Sequence, residues 1–327
     1  MQHEDIENLA TILNNSGQYR VTKKYQRPAY YNTGNENDKM IGVFLDIEAT
    51  GLSYTQDKLI ELGMVKFEYN KHGYIFRLLD DFNGYQDPGI PIPEYITKLT
   101  GISDDMVRGQ KIEENAVANY LQDVDLIIAH NAQFDRTFLE TTFPSLPPKA
   151  WGCLMYDINW DKEGISSRKL EYIAYKFGFF HEGHRAINDC LAGVHLLAQL
   201  LPKSQEPVLK ELITQSAAIR FKLYAVNSPY DSKELLKARG YRWSMNQNDK
   251  YRAWSIEITE DKVVEEVNYL RSNIYSTSSI NIPVEIVDAH SRFSSTSNKS
   301  NNHIKYRDKL EWFQKLCTYL KNTHEYT

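Results

Sequence analysis

An α/β fold with a mixed sheet flanked by helices, followed by a small α+β domain, is what this 327-residue sequence predicts. Three observations carry that reading. An apolar run of strand length, Met40 to Ile47, takes in an acidic residue near its end. Two more strand-like runs follow it, Leu59 to Tyr69 and Gly73 to Leu79, which suit an antiparallel meander. Segments of strand and helix length then alternate up to Leu200, and after Pro202 and Pro207 the charge balance turns over. From Arg220 onward 17 Lys or Arg stand against 13 Asp or Glu, a net +4 in a chain whose total is −5, so residues 1–219 carry −9.

Residues 1–38 read as a polar N-terminal extension with a weakly amphipathic stretch from Ile6 to Leu13. The main domain occupies 39–203. Within it a helix is expected from Lys111 to Gln122. Asp125 to Ala129 is a short apolar strand of the kind that ends at a site in an α/β sheet, and a helix from Gln133 to Glu140 follows. A strand near Cys153 and helices over Arg168 to Phe177 and Ile187 to Leu200 complete the domain. A connecting helix fills 204–221. The accessory α+β domain spans 222–288, with a helix from Ser232 to Arg239 stopped by Gly240. Residues 289–304, rich in Ser and Asn, read as a linker. Residues 305–327 read as a C-terminal helix with Leu310, Phe313, Leu316, Cys317 and Leu320 on one stripe.

With 42% hydrophobic and 25% charged residues the composition is that of a folded globular chain. No run approaches the ~18 apolar residues of a membrane span, so no membrane partner is expected. The start, Met-Gln-His-Glu-Asp, lacks a secretory pattern, and the three cysteines have no metal-binding spacing; both point to a reducing, cytoplasmic setting. The acidic balance argues against a protein that coats DNA through many Lys and Arg contacts. It leaves room for a polyanion approached through divalent cations.

Three short segments carry candidate chemistry. In Phe44-Leu45-Asp46-Ile47-Glu48-Ala49-Thr50-Gly51-Leu52, Asp46 and Glu48 are two apart on a strand, so both point to one face. Two carboxylates on an otherwise buried strand repel one another unless a cation lies between them. In His130-Asn131-Ala132-Gln133-Phe134-Asp135, a strand runs into a helix and Asp135 falls on its first turn. Compensation of the helix dipole is the alternative reading for Asp135, and simple capping for Asn131. In His184-Arg185-Ala186-Ile187-Asn188-Asp189, the histidine precedes a helix that fixes Asp189. A histidine titrating near neutrality suits a base acting on water beside a metal ligand. Phosphodiester hydrolysis by two divalent ions about 4 Å apart needs such carboxylates and such a base.

These segments, in this order, resemble the DnaQ-like, or DEDDh, exonuclease family over roughly residues 40–201. The family includes the proofreading subunit of bacterial replicative DNA polymerase and RNA-trimming enzymes. The resemblance implies a ribonuclease H-like fold and 3′-to-5′ exonuclease activity on single-stranded DNA or RNA. It implies that Asp46, Glu48, Asp135 and Asp189 hold two divalent ions, Mg²⁺ or Mn²⁺, with His184 as general base. It also puts Thr50, Gly51, Leu52, Thr100, Gly101, Ile102, Asn131 and Phe134 against the terminal nucleotide, although a plain core role for Phe134 is equally open. Ala49 in place of the family's frequent Thr, and Trp151-Gly152-Cys153-Leu154 in place of an Asp-Thr pair, depart from the pattern without touching a ligand. The alternative class is a catalytically weak nucleic-acid binding protein or a polymerase-associated subunit with a polymerase or repair partner.

In the accessory domain six Lys or Arg and two Asp or Glu lie between Lys233 and Arg252, among Tyr241, Trp243 and Trp254. Lys237, Arg239, Arg242 and Arg252 are candidate nucleic-acid contacts there. The aromatics have a second reading, as the core of a small domain.

Overall fold

The structure, a computed structural model, describes residues 3–33, 39–243, 251–277, 280–294 and 303–305. It divides into two compact units, Met1–Ala217 with Ala289–Ser295, and Ala218–Asp288 with Thr296–Thr327. No helix among the described residues is long and apolar enough to cross a membrane.

The chain opens with helix α1 (His3–Asn15) and strand β1 (Lys23–Lys24), so the polar extension carries regular structure. The sheet of the first unit is built from β2 (Met40–Ala49), β3 (Leu59–Tyr69) and β4 (Ile75–Tyr85). Helices α2 (Glu94–Thr100), α3 (Asp104–Val107) and α4 (Glu114–Tyr120) lead to β5 (Leu126–Ala129). Helix α5 (Ala132–Thr142), β6 (Ala150–Cys153), α6 (Leu170–Lys176), β7 (Phe179–Phe180), α7 (Ala186–Leu197) and α8 (Val208–Ala217) complete the unit. The strand order is β4-β3-β2-β5-β6. β2, β3 and β4 form the antiparallel meander, and β5 and β6 join parallel to β2. This is a ribonuclease H-like mixed sheet flanked by helices.

Strand β3 is buried along its whole length, because helices and loops cover both faces of the sheet. One apolar layer packs β2 and β3 against α7 and α8 around Phe44, Phe67 and Trp160. The other packs them against α4 and α5 around Leu45, Met64 and Phe138. Two glycines let α7 approach closely. A Cβ on Gly193 would lie 2.2 Å from the Phe44 ring, and one on Gly63 would lie 2.6 Å from the Ala186 carbonyl carbon. This close approach brings the N-terminal turn of α7 onto the middle of β3 and carries Asp189 to the acids of β2.

The second unit has β8 (Arg220–Ala225), α9 (Lys233–Ala238), β9 (Arg242–Trp243), β10 (Trp254–Thr259), α10 (Val263–Tyr269), β11 (Asn281–Val287) and β12 (His303–Lys305). They form a sheet of order β12-β11-β8-β10-β9 over a core of Phe221, Leu223, Tyr241, Val267 and Leu270. The connecting helix expected to reach residue 221 ends at Ala217, because Arg220 already pairs in β8 with Thr259 and Val287.

The expected linker over 289–304 does not describe its first part. Residues 289–294 lie on the first unit as a strap: the Trp151 N–H donates to the Ala289 carbonyl at 2.8 Å, and Arg292 pairs with Asp157. Main-chain carbonyls do most of this work, which composition does not encode. His303–Lys305 forms β12, and 295–302 lie outside the described residues. The helix expected over 305–327, with its apolar stripe, lies outside them too, except Lys305 at the end of β12.

Candidate active site

The end of β2 sets the site. Asp46 and Glu48 leave the same face of the strand, opposite Gly63 and Glu61 of β3. Asp189, in the first turn of α7, comes in from the other layer. Its ligand oxygen and those of Asp46 and Glu48 all lie within 4.8 Å of one another. Asp135, in the first turn of α5, is 2% exposed and accepts the Ile47 N–H at 3.1 Å, which ties α5 to the strand between the two acids. His184 shares the cleft with all four carboxylates. The cleft has a volume of about 510 Å³, and Asn131, Phe134, Met155 and Lys169 are among its walls. Asn131 makes no side-chain cap bond to α5.

Electrostatics make this cluster costly by itself. Burial, followed by the charges of Asp135, Asp189 and Glu48, raises the Asp46 carboxyl well above its ordinary range. Burial, then Asp189 and Glu61, pushes Glu48 up to about 8. Burial likewise raises Asp135, against the pull of the Ile47 N–H. Two like charges 4 Å apart repel by about 4 kcal/mol at an effective dielectric near 20. A donor set of three convergent carboxylate oxygens fits divalent cations, which would offset that repulsion.

A stability prediction follows. Each raised carboxyl holds its proton more firmly in the folded state than in the unfolded chain, so its contribution is complete at low pH and is lost as it ionises. In EDTA the melting temperature is expected to fall as pH rises from about 4.5 through about 8, the interval set by Glu48. Added Mn²⁺ is expected to raise it more at pH 8 than at pH 5. Calorimetry showing the same melting temperature in EDTA at both pH values would contradict the cluster's electrostatics.

Three residues that the motif reading passed over hold the ligands in place. His181, 3% exposed, contacts Asp189 Oδ1 through Nε2 at 2.7 Å. The fully buried Glu61 receives Arg185 Nη2 at 3.0 Å and the Ala186 N–H at 3.1 Å, fixing the start of α7. Arg185 also donates to the Tyr85 hydroxyl. An acid inside the apolar run Leu-Ile-Glu-Leu-Gly-Met-Val was a readable signal of a buried partner. Nothing in the sequence around His181 marked it. His184 has a left-handed backbone, φ 62°, which costs a non-glycine residue about 1–2 kcal/mol. Its N–H donates to Asp189 Oδ2 at 2.9 Å, which holds that conformation, while its ring is half-exposed with Nε2 3.8 Å from Glu171.

The other expected contacts are placed unevenly. Thr50 is buried and donates to Asp57 at 3.1 Å, Gly51 packs against the same carboxylate, and Leu52 is 87% exposed. Thr100 and Ile102 are buried, Ile102 in a small apolar cluster with Ile60, Ile96 and Val107. Gly101 caps α2 in the left-handed conformation. None of residues 50–52 or 100–102 lines the cleft. Phe134 lines it and also packs on Phe138 with ring centroids 4.7 Å apart. In the second unit Arg239 is engaged by Glu265 and Glu266, and Lys237 by Glu234, whereas Arg242 and Arg252 are exposed. Tyr241 is core there, its hydroxyl donating to Glu266, and Trp243 is half-exposed.

This constellation of four acids and a histidine at the end of a mixed sheet defines an exonuclease domain. Residues 43–197, a little under half of the chain, match the exonuclease family of the RNase T type, and this segment resembles the DnaQ-like exonucleases. It is similar to DNA polymerase III PolC-type of Caldanaerobacter subterraneus subsp. tengcongensis, 30% identical over 189 residues, 55% of this chain and 13% of that protein. The same protein of Halalkalibacterium halodurans is 34% identical over 178 residues, 50% of this chain and 12% of that protein. The chain thus spans a small part of the curated relatives it matches. Among solved structures, exonuclease I is similar at 15% identity with a TM-score of 0.46, covering 77% of this chain and 63% of that one, a likeness too distant to bear on chemistry.

Proposed function

We propose that the protein is a 3′-to-5′ exonuclease that removes nucleoside 5′-monophosphates from single-stranded DNA or RNA by a two-metal-ion mechanism. The observation that carries this reading is the convergence of Asp46, Glu48 and Asp189 within 4.8 Å in a cleft that also holds Asp135 and His184. Mg²⁺ or Mn²⁺ ions held by these four acids would supply charge neutralisation at the phosphate and acidify the attacking water. His184 takes the proton of that water as its oxygen adds to phosphorus. The bond from phosphorus to the 3′ oxygen of the preceding nucleotide breaks, and that oxygen leaves with a proton as the new 3′ hydroxyl. Asn131 and Phe134, on the cleft wall, are the residues offered to the terminal nucleotide. Association with a polymerase or repair partner is the second reading, favoured by the similarity to PolC-type polymerases.

The deciding experiment is incubation of matched 5′-labelled single-stranded DNA and RNA with Mg²⁺ or Mn²⁺, beside an EDTA control. A ladder shortening from the 3′ end, absent in EDTA, is expected, and its relative rate on the two polymers reports the preferred sugar. No ladder on either polymer with folded, metal-loaded protein would overturn the reading. His184→Ala is expected to slow hydrolysis roughly 10²- to 10⁴-fold. Its half-exposed ring contributes no carboxylate, so calorimetric Mn²⁺ affinity should be unchanged.

A further inference from the structure

Beside the cleft, the outer face of α6 and the turn after β6 present paired aromatic and basic side chains. Lys169 is exposed and lines the cleft itself. Next to it the Arg168 guanidinium lies over the ring of Tyr156, 5.6 Å from its centroid, and Tyr156 follows Met155 of the cleft wall. Helix α6 buries Leu170, Ile173 and Ala174 and exposes Tyr175, while Tyr172, which also packs against the core, and Lys176 are half-buried. The Tyr172 and Tyr175 rings are 6.4 Å apart. Lys176 lies over Tyr172 at 5.4 Å and Arg20 over Tyr175 at 4.8 Å. Tyr156 is 51% exposed and Tyr175 42%.

One exposed tyrosine is ordinary. Rings paired with cations beside an acidic cleft are a different pattern, the combination that tracks a single strand by stacking its bases and neutralising its phosphates. Arg20, Arg168, Lys169 and Lys176 belong to this face, Arg20 donating as well to the carbonyls of Tyr175 and Lys176 at 3.0 and 2.5 Å, in a stretch of chain, residues 1–219, whose net charge is −9. Arg168 is held only loosely by Asp161, at 3.6 Å with both side chains exposed, so a phosphate can compete for it.

We propose that this face is the binding track for a single-stranded polynucleotide entering the cleft, carrying the nucleotides on the 5′ side of the one being removed. The proposal rests on the exonuclease reading for its polarity. It assigns Tyr156, Arg168 and Tyr175 to substrate binding, and moves the main strand contact from the second unit's basic residues to the nuclease unit.

The test uses the full chain. Binding of a fluorescein-labelled strand of ~12 nucleotides, a length within the site sizes of such tracks, is measured by anisotropy in the Asp46→Asn background, so that it does not depend on turnover. The Tyr156→Ala, Arg168→Ala, Tyr175→Ala triple variant is expected to bind at least about ten-fold more weakly, since the two lost stacks together are worth more than that. Arg168→Ala alone should reduce the magnitude of the slope of log K against log salt by about 0.7, and Arg168→Lys should restore it. In the otherwise native protein the triple variant should raise KM for the long strand and leave hydrolysis of thymidine 5′-p-nitrophenyl phosphate, which reaches only the cleft, within about two-fold. Unchanged strand affinity and unchanged salt slope in a triple variant with the parent's melting temperature would overturn the track, and would point to this face as a protein contact. Failure of the parent to hydrolyse the ester would count against the exonuclease reading alone, because strand binding is read separately.

Discussion

Replacing Asp46 by asparagine is expected to abolish hydrolysis and, at the same time, to raise the melting temperature of the protein in EDTA. The two effects have one cause. Asp46 sits among Asp135, Asp189, Glu48 and Glu61, and burial and their charges together drive its carboxyl toward the neutral form. A neutral amide of the same shape removes one member of a repelling group, so the metal-free protein gains stability, most near pH 8 where Glu48 ionises. The same change removes a ligand oxygen from the set within 4.8 Å. Loss of several kcal/mol of charge stabilisation corresponds to a rate lowered on the order of 10³-fold or more. Calorimetry in EDTA and a 5′-labelled strand assay on one preparation decide it. A variant that is inactive and less stable than the parent would mean that Asp46 supports the fold rather than a cation. Retained activity would remove it from the site. Most mutations that destroy function through misfolding lower stability, so opposite signs in the two assays separate ligand loss from damage.

That Asp46, Glu48, Asp135, His184 and Asp189 could share one cleft was legible because each sits in a short contiguous segment whose local structure limits its direction. Period two on β2 puts Asp46 and Glu48 on one face, and Asp135 and Asp189 each fall on the first turn of a helix. What surrounds them was less legible. Glu61 could be suspected from its place in a buried strand, but its choice of Arg185, 124 residues away, is tertiary. His181 lies in a loop without periodicity, eight residues before the carboxylate it contacts. The segment Thr100-Gly101-Ile102 was offered to the terminal nucleotide by the family resemblance alone. It is instead the turn from α2 to α3, with Ile102 filling the space beneath Ile60 and Ile96. The sequence marks only a helix over Arg168 to Phe177, and Tyr156 and Arg20 join its tyrosines and lysine only through the fold. The basic run of the second unit drew attention for the opposite reason, since its charges are close in sequence while Arg239 is committed to Glu265 and Glu266.

The strap at residues 289–294 supplies the largest expected loss of stability. Arg292 reaches Asp157 with both terminal nitrogens, Nη1 to Oδ2 at 3.0 Å and Nη2 to Oδ1 at 2.5 Å, with side chains 11% and 1% exposed. Asp157 Oδ2 also accepts the Cys153 N–H at 2.7 Å, so the carboxylate organises the turn that follows β6. From the other side Arg136, next to Asp135, donates to the carbonyls of His290 and Arg292, each at 2.7 Å, and pairs with Glu140. Arg292→Ala takes the guanidinium away from a buried carboxylate, a change that typically costs 3–5 kcal/mol, against a total stability of about 5–15 kcal/mol. In a unit of this size that corresponds to a melting temperature lower by about 10 °C. Arg292→Lys is expected to recover part of the loss, since a single ammonium cannot span both oxygens. Lys98→Ala, which breaks the exposed pair with Glu94, serves as the contrast and should shift the transition by no more than ~1 kcal/mol. Equal melting temperatures for Arg292→Ala and Lys98→Ala would show that the strap is not part of the folded nuclease unit. With the expected difference, the Mn²⁺-dependent rise in melting temperature should also shrink in Arg292→Ala, because the strap is bound to the helix that carries Asp135 and its release frees that helix to shift away from β2.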